Sequence, residues 1–244
     1  EMRVIVTPRS GVGERGRDVQ TVRLPRGPQC RQYTGGDRDA EHQRVALEEA
    51  EKKLRYLETL QRINATLRST LPLQKVLETI VQGTGQALDY LGVLIGIPDT
   101  AGRRLNVGAA WGDQFLEAAF RMTGLAVEAL SLPLTVQDNP IARAYLSGEL
   151  QLWGSDPQQI VVGVEPAISP KLAPFVQKLM DVRLAVCIPL STSDAAGKAK
   201  YVGVLVVFSP RSQVSEDERA MLLGVADQAG LAIETARRLE DTAQ

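Results

Sequence analysis

The sequence predicts an α+β fold: a mostly antiparallel central sheet flanked by helices and preceded by a long helix of the coiled-coil type. Three observations carry this. Leu184–Leu190 and Tyr201–Phe208 are apolar runs rich in branched residues, joined by the polar, glycine-containing stretch 191–200. Such a pair reads as a long-looped β-hairpin, and apolarity on nearly every residue puts both strands in mid-sheet, covered on both faces. After Phe208 the period changes: Leu222, Val225, Ala229, Ala232, Ala236 and Leu239 recur at spacings of 3, 4, 3, 4 and 3. That is a helical stripe in heptad register, made largely of small residues. Finally, residues 39–71 hold no Gly or Pro and are rich in Glu, Gln, Ala, Lys, Leu and Arg, the composition of a strong helix.

Taken in order, residues 1–40 are expected to be irregular. Met2–Thr7 and Val19–Leu24 could be brief strands, but Pro and Gly recur between and after them. Gly11, Gly13 and Gly16 have the spacing of a dinucleotide-binding turn, yet no helix pattern follows, which that fingerprint requires. A linker from an upstream domain is the plainer reading. A chain that does not begin with Met and ends in helical composition at Gln244 is expected to be a piece of a longer protein.

Residues 41–70 read as a signalling helix. Leu47, Ala50, Leu54 and Leu57 follow 3-4-3 spacing, after which the apolar series moves to Leu60, Ile63 and Leu67, like a stammer. A helix of about 30 residues is about 45 Å long, more than one small domain covers, so a partner helix from a second subunit is expected. The alternative is a helix folded against its own domain.

Residues 71–240 read as the main domain. Pro72 suits a first helical turn, and Leu73 to Leu88 is amphipathic. Leu91–Ile97 and Arg104–Trp111 form a hairpin around the turn Pro98–Gly102. Short helices are expected over Asp113–Met122, after Asn139-Pro140, and over Leu172–Met180, with an extended segment at Val127–Leu134 and loop over 154–170. Ser215 and Glu218 have the spacing of a capping box at the start of the last helix.

Ile188-Pro189-Leu190, Gly203-Val204-Leu205, and the helix through Glu216, Asp217, Leu222, Ala226, Gln228, Ala232, Ile233 and Ala236 together resemble the C-terminal half of a GAF domain. The resemblance covers about residues 60 to 240. It implies a GAF-like sheet and a regulatory role in a bacterial signalling protein of the sensor histidine kinase type. The ligand signatures of the family are missing. No Asn-Lys pair of the cyclic-nucleotide motif occurs, residues 70–240 hold no histidine for haem, and Cys187 lacks the histidine neighbour of a bilin attachment site. The free methionine sulfoxide reductases of this fold use several cysteines, where this domain has one.

The net charge of −1 excludes nucleic acid as an expected partner, and no run approaches the 18 apolar residues of a membrane span. Two scattered cysteines and no signal peptide suit a reducing, cytoplasmic setting. The single histidine, His42, lies in the predicted coiled coil, so no nucleophile–base pair forms in the domain and no enzyme is expected. No metal site and no cofactor is implied. Cys187 reads as a core thiol, and Gly83-Thr84-Gly85 as a place of close packing. Trp111, Phe115, Phe120, Tyr145 and Trp153, with Arg121 or Arg143 as polar anchor, are candidates to line a small-molecule pocket, or else simply fill the core. Leu47, Leu54, Leu57, Leu222, Ala229 and Ala236 are candidates for a homodimer interface that passes a signal to an output domain such as a kinase. A structural dimerisation module without ligand is the alternative.

Overall fold

In the structure, a computed structural model, residues 33–66, 71–112, 126–154, 164, 182–193 and 197–243 are described. The chain divides into two compact units, Glu1–Val45 and Ala46–Gln244. The glycine turn and the brief strands expected before residue 33 lie outside the described residues, as do the short helices over Asp113–Met122 and Leu172–Met180.

Helix α1 spans Tyr33–Thr66 and so starts ahead of Asp39, passing through Gly35 and Gly36. Helix α2, Leu73–Leu88, begins after Pro72 at φ −57°, the angle a proline ring imposes. Its buried face is Val76, Leu77, Ile80, Val81, Thr84, Ala87 and Leu88. It ends at Asp89, which takes a left-handed φ of 57° and returns its N–H to the Gly85 carbonyl.

Six strands follow: β1 (Gly92–Pro98), β2 (Arg104–Gly112), β3 (Ser131–Pro133), β4 (Gln151–Trp153), β5 (Leu184–Ser193) and β6 (Ala199–Ser209). They form one sheet in the order β3-β2-β1-β6-β5-β4, and each neighbouring pair is antiparallel. The β1–β2 turn is held by Asp99, whose Oδ1 accepts from the backbone N–H of Arg103 at 2.7 Å and of Arg104 at 3.2 Å. The extended segment expected at Val127–Leu134 resolves into a 3-10 turn, Val127–Ala129, and β3. The central hairpin runs further than expected. Ser191, Thr192 and Ser193 pair with Tyr201, Lys200 and Ala199, beyond a bulge after Leu190. Polar composition resembled a loop, but pairing continues because these residues occupy the hairpin's solvent-facing end.

Alternation along the strands makes two cores. Leu184, Val186, Ile188 and Leu190 of β5 face one side, packed with α2 and the last helix, α4 (Glu216–Ala243). Ala185 and Cys187 face the other side, packed with helix α3 (Pro140–Ser147). Helix α3 is started by Asn139, whose side chain accepts from the Ile141 N–H at 2.9 Å, and is closed by Gly148 at φ +71°. Helix α4 lies tight against β5: a Cβ at Gly230 would fall on the Ser191 carbonyl.

This packing corrects one expectation. Leu222, Ala229 and Ala236, expected between two copies, are buried in the domain's own core. The small side chains of Ala229, Ala232 and Ala236 let α4 approach the sheet, and that approach buries the stripe as far as Ala236. The apolar residues α4 exposes are Leu223, Leu231 and Leu239.

Candidate ligand site and helical interface

The aromatic residues singled out in the sequence do not meet in one place. Trp111 packs on the core shared with α2, at the point where Gly85 leaves room for its ring. Trp153 and Tyr145 belong to the opposite core, beneath α3. The expectation of one pocket holding all of them is therefore corrected by the pleat: Trp111 points to the other face of the sheet. Phe115, Phe120 and Arg121 lie outside the described residues. Arg143 is no anchor for this cluster. It is exposed, and its Nη2 donates to the Asp138 carbonyl at 3.3 Å.

On the α3 face the geometry is specific. Trp153 is 2% exposed and sits opposite Ala185 across the β4–β5 ladder. Its indole Nε1–H is buried without a hydrogen-bond acceptor among the described residues. A buried, unpaired donor costs about 1–3 kcal/mol, and native structures seldom leave one without a reason. Tyr145 stands nearby on α3. Its hydroxyl donates to the Tyr201 carbonyl at 3.4 Å, and its ring meets the Tyr201 ring edge-on with centroids 6.5 Å apart. Burial pushes the Tyr145 hydroxyl above the ordinary tyrosine range. Cys187 lies in the same core, wholly buried, and burial pushes its thiol up to about 12. Such a thiol is not a nucleophile at neutral pH. Among the described residues no group of His, Cys, Asp and Glu could hold a metal ion, and no helix is long and apolar enough to cross a membrane.

A second arrangement, which the sequence reading missed, joins α1, α4 and the turn that follows α2. Glu218 is 4% exposed. Its Oε1 accepts from the Tyr90 hydroxyl and from Arg211 Nη2, each at 2.6 Å. Its Oε2 lies 3.7 Å from Lys52 Nζ of α1. Arg211 also stands over the Tyr90 ring, 5.8 Å from its centroid. Burial and then the Glu218 contact push the Tyr90 hydroxyl far above its ordinary range. Half of the expected capping box is present, since Ser215 Oγ accepts from the Glu218 N–H at 3.2 Å. The carboxylate half serves this buried cluster instead. Tyr90 is 128 positions away in sequence, and no local signal links the two.

The two faces of α1 explain its shift in apolar register. Tyr56, Thr59, Leu60 and Ile63 turn towards the domain, and Ile63 is fully buried there. Thr59 Oγ1 lies 3.2 Å from the Gly83 carbonyl of α2. Leu47, Leu54 and Leu57 turn outward, with Leu54 57% exposed. The series that looked like a stammer on one seam is two seams on opposite faces. Elsewhere, Glu240 of α4 accepts from the Leu73 N–H at 2.7 Å, capping α2 beside a surface cleft of about 360 Å³.

A six-stranded antiparallel sheet with helices on both faces, preceded by a long helix, defines a small α+β domain. The GAF domain family model matches residues 72–233, and the chain belongs to that family. No curated protein matches this chain in sequence. Among solved structures, the GAF domain of an Acinetobacter phosphoenolpyruvate-protein phosphotransferase is similar at 19% identity, with a TM-score of 0.53 over 75% of this chain and 94% of that one. A methyl-accepting chemotaxis protein, residues 122 to 287, is 23% identical with a TM-score of 0.51 over 75% of this chain and 98% of that one. The phycoerythrobilin-bound GAF domain of a cyanobacterial phytochrome is 19% identical with a TM-score of 0.51, covering 75% of this chain and 96% of that one. At such identities the likeness is one of fold. GAF domains are regulatory sensor modules of signalling proteins, and the described fold fits that class.

Proposed function

We propose that this chain is a sensor module that binds a small molecule under α3 and passes the event through its terminal helices to an output domain, such as a kinase. The observation that carries this is Trp153, whose buried Nε1–H lacks an acceptor among the described residues. The core around it is apolar, so the molecule that fits is flat and largely apolar, with one hydrogen-bond acceptor facing the indole. Binding would satisfy the donor and stabilise the folded chain by mass action. The phytochrome neighbour holds a bilin, a flat molecule with carbonyl acceptors. Here the bound molecule would be held without a covalent bond, because Cys187 is buried and protonated.

The module acts as a homodimer in a cytoplasmic signalling protein, with Leu47, Leu54 and Leu57 of α1 as the seam between copies. In this reading the module regulates and does not catalyse, with its one histidine, His42, in α1. The neighbouring reading, a dimerisation module that binds nothing, predicts that no compound shifts its melting.

A thermal-shift screen of planar heterocycles and linear tetrapyrroles tests the reading. The expected result is a hit that raises the Tm of the native chain and loses most of its effect in Trp153→Phe, which keeps the ring and removes the donor. A hit of undiminished strength in that variant would overturn the assignment of the site.

A further inference from the structure

We infer that the 46–66 half of α1 is a latch: it seats reversibly in a groove between α2 and α4, and release of this seat is the movement by which the module signals. This rests on the sensor reading and deepens it.

The groove is shaped for a helix. Gly83 on α2 takes the Thr59 side chain, and a Cβ there would stand 3.0 Å from Thr59 Cγ2. Gly224 on α4 takes Tyr56, whose hydroxyl fills the place of a Cβ. Burial, then the charge of Asp227 one turn further along α4, pushes the Tyr56 hydroxyl above its ordinary range. The two glycines thus lower both walls where α1 crosses, and either helix would be stiffer with alanine.

The charge arrangement at Glu218 makes the seat releasable. A buried carboxylate stripped of its counter-charge is strongly unfavourable. Glu218 keeps Arg211 and Tyr90 on Oε1 whether or not α1 is present, since both belong to the domain itself. Lys52 adds a longer contact, 3.7 Å to Oε2, and is partly exposed. Lys52 can therefore leave for water without stranding a buried charge. The latch holds by the burial of Ile63 with Leu60 and Tyr56, a shape fit and an auxiliary ion contact, with no buried ion pair to break, which suits a two-state element whose balance a ligand or partner tips. The outward face of the same helix carries Leu47, Leu54 and Leu57, so release would also move the proposed dimer seam.

Hydrogen exchange by mass spectrometry on the full chain tests this, with Gly224→Ala and Lys52→Gln as variants. Alanine at 224 fills the seat of Tyr56 while favouring α4 as a helix. The expected result is exchange about tenfold faster in residues 46–66, with β5, β6 and α4 unchanged or better protected. Lys52→Gln gives a smaller change of the same pattern. Unchanged exchange in 46–66 for Gly224→Ala would overturn the proposal. So would faster exchange spread through β5 and β6, because α1 and the sheet would then open as one unit. A released α1 in a chain for which no small molecule shifts the Tm would sink the sensor reading and leave the latch standing.

Discussion

Cys187 lies between Gln151 of β4 and Val206 of β6 in the sheet, with no exposed surface. Its thiol is raised by burial from 9.0 to about 12, so the folded form keeps a proton that the unfolded form loses first. The stabilisation is complete below pH 9 and is lost as pH rises from there towards 12. Tyr90, raised by burial and by Glu218, adds to the loss at still higher pH. On the acid side, burial pushes Glu234 up, but Lys200 and Arg238 outweigh it and hold the carboxyl below its usual 4.5. Its contribution is present above that value and lost as pH falls through the lowered one. Denaturant titrations across pH should show stability falling above 9 and again below 4.5. Alkylation of Cys187 at pH 8 should proceed at the rate of global unfolding. Rapid labelling of the folded chain would contradict its burial.

At the scale of the element, α4 carries two glycines with opposite expected effects. At Gly230 the obstacle to a methyl is the Ser191 carbonyl, a backbone atom of β5 that cannot turn aside. Gly230→Ala should therefore destabilise the domain, although alanine favours a helix by about 1 kcal/mol at an open site. At Gly224 the obstacle is the end of the Tyr56 side chain, so the clash falls on the seat of α1 and not on the sheet. Chemical denaturation of both variants should show a lowered midpoint for Gly230→Ala and none for Gly224→Ala. This contrast also shows what periodicity can reveal. The 3-4 spacing of Leu222, Val225, Ala229, Ala232 and Ala236 marks a helix and a stripe largely of small residues. It does not say what the stripe touches, because small residues suit close packing on a sheet as well as on a partner helix. The hairpins, α2 and the Asn139 cap were legible because apolar runs and caps are local signals. The end of β5 was not, because Ser191 to Ser193 are strand residues by their partners and not by their composition. Of the candidate site, Trp153 and Tyr145 were named from composition, but the pleat that separates them from Trp111 needed the bulge between β1 and β2 to be known. The Glu218 cluster, built across 128 positions, left no trace in local pattern.

In the whole molecule, a ligand under α3, a latch between α1 and the domain, and a seam of leucines between two copies act together. The seam is the part most exposed to water in a single chain: Leu47, Leu54 and Leu57 are each more than half exposed, at 61%, 57% and 54%. Burying such residues between two helices contributes about 1.5–3 kcal/mol for each leucine fully covered. Leu54→Lys with Leu57→Lys should therefore yield a monomer at micromolar concentration, with its helix content kept because both positions face outward.

Native mass spectrometry of the chain purified from cells, beside Leu54→Lys/Leu57→Lys and Trp153→Phe, tests the sensor reading most directly. The expected result is a dimer that carries an additional non-covalent mass, a monomer for the leucine pair variant, and loss of the added mass in Trp153→Phe. A native chain that flies as a bare monomer would contradict it.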